Sequence, residues 1–196
     1  MSDLSPKKLL LTLVVDFSGS LTDEGDAASI NDFVKRLRHE LYAVSLSNEV
    51  ECEIRCLCYS DDPQWEQEDF ISLSEFEFPI PTGGRFSNFG KALDQVLCKP
   101  VSSVDSGKEV WIWISDGFST DEWMESVEKL RTDEAYSPIV RYAFHVPGDT
   151  RFESLAWFSG SKERVWDTTE IAGELFTEIV GLCSPEVETD LWGDDF

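Results

Sequence analysis

The sequence predicts a doubly wound α/β fold: a mostly parallel sheet of six strands, one of them an antiparallel edge strand, with helices on both faces. Three observations predict it. Strand-like runs alternate with segments of helical spacing throughout residues 8–183. Two of those runs, Leu9–Val15 and Glu109–Ser115, are almost continuously apolar, as parallel strands covered on both faces are. Each of the two leads straight into an aspartate, Asp16 and Asp116.

The elements follow in order. After the first strand, AASINDFVKRLRHELYAV places Ile30, Phe33, Val34, Leu37 and Leu41 at helical spacing. VECEIRCLCY alternates polar and apolar residues as a half-buried strand does, and the more polar DFISLSEFEF (residues 69–78) suits an edge. SNFGKALDQVLC reads as a helix, and the Trp-rich VWIWI as core strand. In STDEWMESVEKLRTDE an acidic first turn precedes Trp123, Val127 and Leu130 on one face. PIVRYAFHV is a strand, RFESLAWFSG a short helix closed by Gly160, ERVWD a short strand and EIAGELFTEIVGLC the last helix. No internal repeat or linker interrupts residues 8–183, so they are read as one domain. SPEVETDLWGDDF, residues 184–196, is acidic and aromatic without amphipathic period, and is expected to be a flexible tail.

Composition excludes several function classes. Sixteen basic against 39 acidic residues give a net charge of −23, which repels phosphate backbones and anionic membranes. A protein partner is expected to be basic around its contact. The N-terminal apolar run is too short for a secretion signal and no run approaches a bilayer span. Cys52, Cys56 and Cys58 share one face of a strand, and with Cys98 and Cys183 they lack zinc-ligand spacing. Free thiols in a reducing cytoplasm are the expectation.

In an open doubly wound sheet, ligands sit beyond the carboxyl ends of the strands where the strand order reverses. There the sequence places Asp16, Ser18 and Ser20 after the first strand, Asp116 after Glu109–Ser115, and Thr82 and Ser87 in the Gly-rich PIPTGGRFSNFGKAL. These are hard oxygen donors without His or Cys, suited to Mg²⁺, Mn²⁺ or Ca²⁺. Taken alone, Asp16-x-Ser-x-Ser fits a helix cap equally well. Asp121 reads as a charge at a helix N-terminus, and His39 and His145 as structural.

These residues carry a resemblance. VVDFSGS resembles the Asp-x-Ser-x-Ser element of the von Willebrand factor A (vWA) fold, SDGFSTD its second aspartate segment, and TGGRFSNFGKAL its third ligand loop. FPIPTGGRFSNFGKAL and the short chain are most similar to bacterial vWA proteins of the tellurium-resistance type. The resemblance implies a metal-ion-dependent adhesion site. Ser18 and Ser20 would bond the ion directly, with Asp16 in the same loop, and Asp116 directly or through water. Ser87 would stand where the family usually has Thr, three residues before Gly90. Arg85 and Phe86 are extra in that loop, which makes Thr82 the alternative ligand. It also implies a strand order of 3-2-1-4-5-6 and an open metal position that a partner's Asp or Glu completes.

An enzyme is not expected. A phosphoaspartate mechanism needs an aspartate two positions after the nucleophile, where Ser18 stands. DFSGS is no nucleophile elbow, and TGG lacks the Lys of a phosphate loop. The expected function is therefore a metal-dependent protein-interaction module, in a stress-response or tellurium-resistance-like setting. The rivals are a scaffold with a degenerate site, acting through apolar surface and the acidic tail, and a metal-dependent hydrolase.

Overall fold

Alternating apolar periodicity becomes a six-stranded sheet of order β3-β2-β1-β4-β5-β6. The computed structural model describes residues 7–21, 24–78, 83–99, 107–147, 152–169 and 173–183; Thr82 and residues 184–196 lie outside them. The strands are β1 (Lys7–Asp16), β2 (Val50–Tyr59), β3 (Gln64–Ser72), β4 (Lys108–Ser115), β5 (Val140–His145) and β6 (Val165–Asp167). All neighbours run parallel except β2 and β3. The helices are α1 (Glu24–Ser47), α2 (Phe89–Leu97), α3 (Met124–Thr132), α4 (Glu153–Ser159) and α5 (Gly173–Gly181). Among the described residues no helix is long and apolar enough to cross a membrane.

The period of two along β1 separates two cores. Leu9, Leu11, Leu13 and Val15 face α1 and α5, where Phe33, Leu37, Phe176 and Ile179 cover them. Val14 faces the other way with Trp111 and Trp113 of β4, under Phe89 and Leu93 of α2, Val127 of α3 and Phe158 of α4. Each such side chain contributes about 1.5–3 kcal/mol by leaving water. β1 and β4 lie mid-sheet with both faces covered, which is why they read as unbroken apolar runs. Gly160 closes α4 in the left-handed region (φ 89°), as its position predicts.

Two elements differ from the sequence reading. The edge strand is β3 at Gln64–Ser72, not residues 69–78. After Ser72 the chain turns out of the sheet, with the Phe76 N–H on the Ser72 carbonyl (3.2 Å), and Leu73 and Phe76 drop into the α1-side core. Their apolar character belongs to this turn rather than to a strand. β2 is also more enclosed than a half-buried strand: from Arg55 onward every residue is buried, because β3, β1 and α2 surround it. Its three cysteines share the α1 face as expected, and all five cysteines are free.

Candidate metal centre

Parallel registry brings the site together. β1 ends at Asp16, paired with Tyr59 at the end of β2, while Val15 pairs with Ile114, one residue short of Ser115. The strand order reverses between β1 and β4, the crevice in which a doubly wound sheet holds its ligand. Asp16 is fully buried there, and Ser18, Ser87 and Asp116 are nearly so, whereas Ser20 is exposed.

The cluster is one hydrogen-bonded unit. Asp16 Oδ2 accepts from Ser87 Oγ (2.8 Å), Ser115 Oγ (2.8 Å) and the Tyr59 hydroxyl (3.1 Å). Asp16 Oδ1 accepts from the Ser18 backbone N–H (2.9 Å). Ser18 Oγ lies 3.3 Å from Ser20 Oγ, and Ser20 Oγ donates to Asp116 Oδ2 at 2.6 Å. Asp116 Oδ1 caps its own turn by accepting from the Phe118 N–H (3.0 Å). Asp16, Ser18, Ser20, Ser87 and Asp116, the five residues expected from the sequence, therefore converge. Thr82 lies outside the described residues.

Two participants escaped the sequence reading. Ser115 donates to Asp16 and accepts from the Gly117 N–H (2.9 Å). Tyr59 accepts from the Trp113 indole N–H (3.0 Å) and donates its own hydroxyl hydrogen bond to Asp16. Both end strands that flank β1, so strand-end position was the available signal. Burial and the neighbouring Asp16 charge push the Tyr59 hydroxyl well above its ordinary range.

The third loop is held from two sides. Asp61 accepts from the Arg85 and Phe86 N–H groups (2.9 and 2.7 Å). The Thr120 N–H donates to the Ser87 carbonyl (2.8 Å), and the Ser87 N–H to Thr120 Oγ1 (3.0 Å). Gly84 has no room for a side chain, because a Cβ would lie 2.5 Å from Ser60 Oγ. Asp121 is a helix-terminus charge as expected, but on α2 rather than α3: it accepts from the Gly90 and Lys91 N–H groups, both at 3.0 Å. His145, in register with Ser115, packs against Phe152 at 5.8 Å. Among the described residues, no hydrogen bond joins it to Asp16.

Electrostatically the cluster is one-sided. Burial, opposed by the Ser87, Ser115 and Ser18 hydrogen bonds and reinforced by the Asp116 charge, raises Asp16 from 3.8 to about 6. Among the described residues no ion pair reaches either carboxylate. Nor do those residues hold a group of three or more His, Cys, Asp or Glu suited to a metal ion. Two carboxylates and three hydroxyls, all oxygen, remain a donor set that fits Mg²⁺-class ions with water completing the shell.

No family model and no curated protein matches the sequence. Solved structures do match. Proximal thread matrix protein 1 of the mussel byssus aligns at TM-score 0.64 and 15% identity, over 91% of this chain and 46% of its own. The ArnB paralog VWA2 from Sulfolobus acidocaldarius gives 0.60 and 18%, over 90% and 45%. The fold is the vWA fold. The pilus adhesin SpaC from Lactobacillus rhamnosus GG shares it at 0.61 and 12%, over 89% of this chain and 29% of the adhesin. This chain thus spans less than half the length of these vWA-fold neighbours. The mussel protein has also been solved with a zinc-occupied MIDAS motif, at TM-score 0.62 and 15% identity, over 91% of this chain and 46% of that one.

Proposed function

We propose that this chain is a metal-dependent protein-interaction module. Asp16, Ser18, Ser20, Ser87 and Asp116 would hold one Mg²⁺-class ion, with Mn²⁺ or Ca²⁺ as substitutes. Bound there, the ion would supply a Lewis-acidic position for a carboxylate from a partner's Asp or Glu. The observation that carries this reading is the fully buried Asp16, raised to about 6 by burial and by a second carboxylate. A cation favours the charged form of both. Ser115 and Tyr59 orient Asp16, and Asp61 and Thr120 hold the Ser87 loop.

Binding rather than catalysis is the proposal: the Ser20, Ser87 and Ser115 hydroxyls are committed as donors to Asp116 and Asp16, and among the described residues no histidine is hydrogen-bonded to them. The vWA fold, shared with an adhesin, supports a protein partner. With a net charge of −23, that partner is proposed to be basic around its acid. The free cysteines support a cytoplasmic setting, and FPIPTGGRFSNFGKAL a bacterial stress-response or tellurium-resistance-like one. A second reading has its own observation: each oxygen of Asp16 and Asp116 already has a hydrogen-bond donor. That completeness favours a scaffold whose site works without an ion.

Partner capture by the immobilised full chain separates the two. The metal-dependent module predicts recovery in Mg²⁺, with loss in EDTA and in Asp16→Ala. Equal recovery in all three conditions would leave the scaffold.

A further inference from the structure

Against 39 acidic residues the chain has 16 basic ones, yet Lys35, Arg36, Arg38 and His39 fall within five positions of α1. Arg36 turns toward the Thr168 carbonyl (3.1 Å). Lys35, Arg38 and His39 line a groove of about 490 Å³ together with Tyr42 and Ser74. Arg38 builds one wall, donating to the Leu73 carbonyl (3.0 Å) and the Ser74 carbonyl (2.6 Å). Along the same helix, Tyr42 and Leu46 are 39% and 62% exposed, an apolar strip continuing the groove. Among the described residues, Lys35 Nζ pairs with Asp32 at 3.8 Å between largely exposed side chains, a weak pair.

The chain leaves the described fold at the matching end. Cys183 Sγ donates to the Lys8 carbonyl at 3.4 Å, and Lys7 and Lys8 pair with Val50 and Glu51, just beyond the C-terminal end of α1. From that end, Leu46, Tyr42, His39 and Lys35 follow one another along α1. Its sequence has the complementary order: Leu191 and Trp192, then Asp194 and Asp195. The nine residues from Cys183 to Trp192 reach up to about 30 Å when extended. Leu46 and Lys35 stand about 16 Å apart along the helix.

We propose that residues 184–196 dock into this groove of their own molecule. Leu191 and Trp192 lie on Tyr42 and Leu46, and Asp194 and Asp195 face Lys35, Arg38 and His39. Charge complementarity selects the segment, and tethering raises its effective concentration to the millimolar range, ahead of a second copy. This docking is independent of any bound metal.

The test follows the Trp192 indole N–H by NMR in the full chain, assigned with Trp192→Phe. Lys35 and His39 are exposed, so Lys35→Glu with His39→Glu reverses the charge without touching the core. The proposal predicts an order parameter above about 0.6 in the unaltered chain, falling below that value in the double variant. It predicts no change with EDTA and a monomeric mass throughout. A mobile Trp192 in the unaltered chain, or one indifferent to the charge reversal, overturns the proposal. So does a signal that responds to EDTA, which would send the tail to the metal centre. A dimer that the variant dissociates overturns it as well, in favour of exchange between copies.

Discussion

Two polar clusters are buried on the same face of this sheet, and they are built on opposite principles. Mid-sheet, Arg55 donates to Thr12 Oγ1 (2.9 Å) and reaches Glu109 Oε1 at 3.2 Å, and Glu109 Oε1 also accepts from the Trp111 indole (2.6 Å). The Arg55 guanidinium lies 5.0 Å from the Trp65 ring and 4.8 Å from that of Phe70, which seal it under β3. Charge meets opposite charge there. At the strand ends, the hydrogen bonds that Asp16 and Asp116 accept among the described residues come from hydroxyls and backbone N–H groups. The first cluster has what a structural network needs. In the second, two carboxylates are brought together and burial raises Asp16, an arrangement that the cation of the proposed function would relieve.

The largest effect is expected mid-sheet. Glu109→Gln leaves the Arg55 charge without its carboxylate and should destabilise the chain by roughly 3 kcal/mol or more in denaturant unfolding. Arg55→Met with Glu109→Leu should cost much less than either single change, and metal affinity should not move in the double variant. A large loss from the double change would show that the pair itself, rather than its mutual compensation, holds β3 in place.

At the strand ends the sign reverses. Asp16 titrates near 6 in the folded chain against an ordinary 3.8, so folding favours its neutral form. Its contribution is therefore most favourable below about pH 4, and is lost as pH rises through 6, a swing of about 3 kcal/mol. In EDTA, the stability of the unaltered chain relative to Asp16→Asn should fall between pH 5 and pH 7.5. A difference that stays flat, or grows with pH, would contradict the burial argument.

Smaller effects belong to the third loop. Ser87→Ala should weaken metal binding several-fold, Ser87→Thr should preserve or improve it, and Thr82→Val should be nearly silent in the same titration. The opposite pattern would move the ligand to Thr82.

The same contrast explains what could be read from sequence. β1 and β4 were legible because both faces are covered, and their terminal aspartates stood out as charges closing apolar runs. The order of the site segments was legible too. Tyr59 was not, since it closes a strand of apparently alternating character. Ser115 was hidden as the last residue of an apolar strand, and its role depends on registry between β1 and β4. β3 was misplaced because Leu73 and Phe76 are apolar for a turn that enters the core, while true strand residues such as Glu66 and Gln67 are polar at an edge. Arg55 looked like the exposed phase of β2 until Trp65 and Phe70 covered it.

Whether the strand-end cluster takes up a divalent cation, as proposed, is decided by calorimetric titration of Mg²⁺ and Mn²⁺ at pH 7.5. One weak site is expected in the unaltered chain, lost in Asp16→Ala while the far-UV spectrum and cooperative unfolding persist. No binding to the unaltered chain, or the same affinity in Asp16→Ala, would contradict it.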